Sequence, residues 1–127
     1  MQGQYLYEYA IIRVVPRVER EEFLNVGVIL YSKQLKYLDC LYRLDRGRLL
    51  TVFGNMDIGE VEQYLSAFER ICKGLDGSGP IGKLDLPSRF RWLTATRSTI
   101  IQTSKVHPAF CTEPRQALER IFEQMVG

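Results

Sequence analysis

The chain is predicted to be an α+β domain, with a mainly antiparallel sheet of about four strands and helices segregated after and around it. Three observations predict this. The β-like runs crowd into residues 5–43, the helical periodicities lie beyond residue 45, and one further strand-like run, 98–104, falls between helices. That order is segregated, unlike the strict strand–helix alternation of a doubly wound fold.

The elements follow in chain order. Residues 5–15 place Tyr5, Tyr7, Tyr9, Ile11 and Val15 on one side and Leu6, Ala10, Ile12 and Val14 on the other. Both sides are largely apolar, as in a central strand covered on two faces. Pro16 ends it, because proline cannot donate to a sheet ladder. Residues 17–24 form a charged connection with room for one helical turn. Residues 26–31 are a second strand, in which Gly27 marks a bulge or a close backbone approach. A turn at 32–34 leads into a third strand over 35–43.

Beyond Asp45 the period becomes helical, first in a short helix over 48–53 closed by Gly54 and Asn55. Asp57 with Glu60 fits an N-cap pairing, and Ile58, Val61, Leu65, Phe68 and Cys72 fall on one stripe, with Gly74 as the stop. The glycine-rich segment 77–82 is a loop too short to divide domains. Pro87 opens a short helix carrying Phe90 and Leu93 with Trp92 beside them. Residues 98–104 are the fourth strand, and His107 falls in a loop with Pro108. Glu113 and Pro114 open a last helix whose Ala117, Leu118, Ile121, Phe122 and Met125 form its apolar face.

A length of 127 residues fits a single domain, 1–127, able to bury roughly two-thirds of its unfolded surface. An apolar share of 46% and a charged share of 25% are those of a folded globular chain, which argues against disorder. No apolar run approaches the roughly 20 residues of a membrane span, and the N-terminus lacks a signal-peptide pattern. The three cysteines, Cys40, Cys72 and Cys111, lie far apart without zinc or disulfide spacing. They read as small buried hydrophobes in a reduced, cytoplasmic protein, with no metal site and no cofactor expected.

The net charge is only +2, yet twelve arginines stand against five lysines, a bias toward planar, bidentate recognition. Arg13, Arg17 and Arg20 form one cluster, matched in number by Glu19, Glu21 and Glu22. Arg89, Arg91 and Arg97 form another around Trp92, followed by Ser98, Thr99 and Gln102. Converging guanidinium groups grip phosphate or carboxylate through paired N–H donors, and an interleaved aromatic suits a stacked ring. Internal pairing is the competing account of both clusters, because an arginine in an apolar run is costly to bury unpaired. Glu8, on the apolar central strand, needs such a partner, for which Arg13, Arg97 and Arg43 are the candidates and Arg13 the one assigned. No glycine-rich phosphate loop accompanies the arginines, which disfavours nucleotide binding of that type.

The two arginine blocks also carry a resemblance. YEYAIIRVVPRVEREEFLNVGVIL, from Tyr7 to Leu30, resembles the N-terminal signature of a bacterial domain family of unknown function. FRWLTATRSTIIQ, from Phe90 to Gln102, with Val106 and His107 after it, resembles the family's second signature. Members of that family tend to be encoded beside a HipA-like serine/threonine kinase. The resemblance therefore implies a protein partner and supplies no catalytic residue.

The function expected is a non-enzymatic accessory module binding a partner protein, with Arg17, Arg20, Asn25, Arg91, Arg97 and Gln102 as contacts. The alternative is a nucleic-acid-binding or nucleic-acid-processing domain using the same arginines on phosphate. A third class is a hydrolase or transferase using His107 or Cys111. It requires a nucleophile and a base in hydrogen-bond contact.

Overall fold

The computed structural model describes residues 4–16, 22–54, 56–95 and 99–126. Its elements run β1 (Tyr5–Val14), β2 (Leu24–Ser32), β3 (Tyr37–Tyr42), α1 (Arg46–Phe53), α2 (Ile58–Lys73), α3 (Leu86–Thr94), β4 (Ile101–Thr103), β5 (His107–Cys111) and α4 (Pro114–Met125). The predicted α+β class is what forms: an antiparallel sheet in the order β3-β2-β1-β4, with β5 also on β1, and helices on both faces.

β1 is the central strand that its two-sided apolar pattern predicts. Ala10, Ile12 and Val14 point into a core shared with Leu49 of α1, the Val61, Leu65, Phe68 and Cys72 stripe of α2, and Phe90 and Leu93 of α3. Tyr7 and Ile11 point the other way, into a core with Val28, Leu30, Ala117, Leu118 and Ile121 under α4. Successive strand side chains alternate between faces, so one strand serves both cores.

Gly27 does both things expected of it. A side-chain carbon there would lie 2.4 Å from the Leu41 carbonyl oxygen and 2.7 Å from Cβ of Tyr42, so β3 can approach only a glycine. The register of β2 against β1 also shifts here: Ile12 pairs with Gly27, whereas Arg13 pairs with Asn25. The extra residue, Val26, stays in the α2–α3 core, and Asn25 is turned to the α4 side, where its Nδ2 donates to the Met125 carbonyl at 3.3 Å.

Two expectations are corrected. His107 and Pro108 are not in a loop. They begin β5, pairing with Tyr9 and Glu8 of β1. β5 lies at the edge of the sheet, where a proline's missing donor costs no ladder bond. The edge is continuous through Ser104, whose N–H donates to the Ile11 carbonyl and whose Oγ accepts from Ile11 N–H, both at 2.8 Å. Arg13 is not the partner of Glu8. Five positions apart on one strand, the two side chains leave opposite faces of the sheet, and Glu8 pairs instead with Arg91 of α3.

The helices are bounded by local chemistry. Asp45, Asp57, Asp85 and Glu113 each accept a first-turn N–H through a side-chain oxygen. α2 ends at Gly74 in the left-handed region, φ 64°, with its N–H returned to carbonyls of the last turn.

Candidate functional site

Of the six polar residues singled out in the sequence, Arg17, Arg20 and Arg97 lie outside the described residues, as do residues 18, 19 and 21 of the charged connection, Asn55, and residues 96 and 98. Asn25 and Gln102 are brought into one row. They pair with Arg13 from its two sides, on β2 and β4. Within that row the Arg13 guanidinium lies over the Phe23 ring, 4.0 Å from its centroid. Gln102 donates from Nε2 to the Thr99 carbonyl at 2.9 Å. Arg13 Nε and Asn25 Oδ1 are buried with no hydrogen-bond partner among the described residues.

Arg91 is elsewhere. Its Nη1 and Nη2 donate to the two oxygens of Glu8, both at 2.9 Å, a parallel two-bond pairing. That hydrogen bonding is the main reason the guanidinium is held charged above its ordinary range. Glu8 and Arg13 are separated by about 17 Å of strand and by the thickness of the sheet, so Arg91 does not join Asn25 and Gln102. Arg89, one position before the buried Phe90, is structural. It donates to the Leu84 carbonyl at 2.8 Å and the Cys72 carbonyl at 3.5 Å, tying the end of α2 to the loop before α3.

Among the described residues, three of the hollows between these elements border the residues singled out above. One of about 180 Å³ lies between α2, α3 and β4, lined by Tyr64, Phe68, Ile71, Trp92, Leu93 and Gln102 among others. One of about 100 Å³ is bordered by Asn25, Arg43, Asp45 and Arg48. The third, of about 420 Å³, lies where α3 meets the β1–β2 end of the sheet, and Leu6, Glu8, Tyr31, Lys33, Gln34 and Arg91 line it. Tyr31 sits under Phe90, ring centroids 5.2 Å apart, and burial pushes its hydroxyl pKa up.

The helical layer stops at that third hollow. Leu6, one row beyond Glu8 on the same face of β1, is 46% exposed, and its cross-strand partner Phe110 is 64% exposed. Directly paired residues of an antiparallel ladder share a face, so the two form an uncovered apolar strip continuous with the hollow through Leu6. Lys33 and Phe110 stand out by no signal of their own in the sequence, and Leu6, expected on a covered side of the central strand, is instead 46% exposed. Leu6 and Phe110 are indistinguishable in sequence from core residues, and the one available signal was an apolar pair flanking Glu8 and Pro108 on paired strands.

The residues with nucleophile or base chemistry do not meet. His107 and Cys111 are the two ends of β5, about 13 Å apart along the strand. The His107 ring lies against Tyr9 at 5.5 Å, and the Cys111 thiol is buried, which raises its pKa. Cys72 is pushed up above all by its hydrogen bond with Cys40, then by burial. All three thiols are free and buried. Among the described residues, no group of three or more His, Cys, Asp or Glu side chains gathers to hold a metal ion. No described helix is long and apolar enough to cross a membrane.

No curated protein and no solved structure matches the chain. From β1 to the end of α4, over residues 9–126, it matches the family described as Protein of unknown function (DUF3037), and it belongs to that family.

Proposed function

We propose that this domain is a non-enzymatic accessory module that binds a partner protein. One observation carries the reading: the helical layer ends one row short of the sheet and leaves Leu6 and Phe110 uncovered beside an open hollow. Two large apolar side chains paired on a sheet face cost solvation with no return in the isolated chain, and such strips mark contact surfaces. The separation of His107 from Cys111 along β5 favours binding over nucleophilic chemistry. Arg91 borders the strip, while Arg17, Arg20, Asn25, Arg97 and Gln102 stay candidate contacts. A HipA-like kinase, which the family resemblance implies as a genomic neighbour, is the first partner to test.

The test is co-purification of the tagged chain expressed with its neighbouring gene products. A neighbouring protein is expected to be retained and to be lost from a variant carrying Leu6→Ser and Phe110→Ser. If nothing associates with the unaltered chain, the reading fails. If the chain instead binds oligonucleotides with an affinity falling steeply as salt rises, phosphate contact by the arginines replaces it.

A further inference from the structure

We infer that the hollow beside Leu6 receives an acidic side chain of the partner, with an apolar residue next to it lying on Leu6 and Phe110; this rests on the protein-binding reading above. The argument is one of charge and continuity. Lys33 and Arg91 both line the hollow, and Glu8 is the carboxylate between its walls. Glu8 spends both oxygens on Arg91, whereas the Lys33 ammonium has no ion-pair or hydrogen-bond partner among the described residues. Arg91 has three further N–H donors beyond the two it gives to Glu8, and its side chain is 57% exposed. Asp85, the other anion acting on Tyr31, is not a wall of the hollow, and its carboxylate accepts from Ser88 N–H at 3.0 Å. The hollow is thus one positive charge in excess, with donors to spare and apolar flanks.

Its volume, about 420 Å³, accommodates a side chain with neighbouring backbone. The occupant is a protein segment rather than a free acid because a lone carboxylate at Lys33 would leave Leu6 and Phe110 uncovered, whereas an acidic residue with an apolar neighbour satisfies both the charge and the strip. A nucleic-acid strand fits poorly: a single excess cation gives little against a repeating charge, and the Leu6 and Phe110 flank offers phosphates no donor.

The experiment uses the isotope-labelled full chain and two capped tetrapeptides, leucine-glutamate-phenylalanine-leucine and its glutamine analogue, followed by NMR. Millimolar binding of the glutamate peptide is expected, with shifts at Lys33, Gln34 and Arg91 and near Phe110. The glutamine analogue is expected to bind about five-fold more weakly, the worth of one exposed ion pair. Lys33→Glu, at an exposed turn position, is expected to abolish that preference while leaving the remaining spectrum in place. Equal affinities, shifts away from the hollow, or no shifts at several millimolar peptide overturn the inference. A captured partner that is lost with Phe110→Ser yet indifferent to Lys33→Glu also overturns it, and leaves the protein-binding reading intact.

Discussion

Two stretches of the same face of β1 behave as opposites. Ala10, Ile12 and Val14 are sealed beneath α2 and α3, while Leu6, four residues before Ala10, stands 46% exposed beside Phe110. Both stretches are apolar, so composition does not separate them. Cover does. β1 spans about 33 Å and the sixteen-residue α2 about 24 Å, so the longest helix is too short to shield the whole strand. The boundary falls at Phe90 and Arg91, one closing the core over Tyr31 and the other clamping Glu8. A half-buried residue identity therefore says which face it is on, and only the third dimension says whether that face has a lid.

Four substitutions sharpen the contrast. The largest effect is expected from Phe90→Ala, which removes a fully buried ring at the boundary. A loss of about 3–5 kcal/mol is expected in urea unfolding. A loss below about 1 kcal/mol would mean that α3 does not seal this row. Gly27→Ala comes next. Its methyl group meets backbone rather than a flexible side chain, and overpacking of this kind costs about 1–3 kcal/mol. A neutral or stabilising result would show that β2 and β3 are not held that close. The smallest is the pair Leu6→Ser and Phe110→Ser, each expected within about 0.5 kcal/mol of the parent because neither contributes a sealed core contact. A cooperative drop of several kcal/mol would place them in the core and end the distinction between the two stretches.

Much of the scaffold was legible. The α2 stripe is buried residue for residue, Gly74 and Gly27 act as expected, and Ala117, Leu118 and Ile121 form the inner side of α4. These are local signals, set by period, caps and turn chemistry. The failures were of two kinds. Pro108 hid an edge strand, since proline argues against strand until the position in the sheet is known. The Glu8–Arg91 clamp links residues 83 positions apart, and no spacing rule reaches that far. Arg13 was the nearer cation in sequence and sat on the wrong side. The candidate surface was the least legible part, because an exposed leucine and a buried one are the same letter.

The extra residue at Val26 has a consequence for how this chain tolerates changes in length. Insertions ahead of Leu24 leave the pairing from Gly27 onward untouched, since that ladder is pinned by Gly27 against Tyr42. Deleting Val26 would join Asn25 directly to Gly27, leaving Asn25 opposite Arg13 and Leu24 opposite Val14 on their present faces while removing the bulge and one buried core side chain. The strand therefore carries one surplus residue whose loss would not change which way its neighbours face, and would be felt as a missing core contact rather than as a slipped ladder.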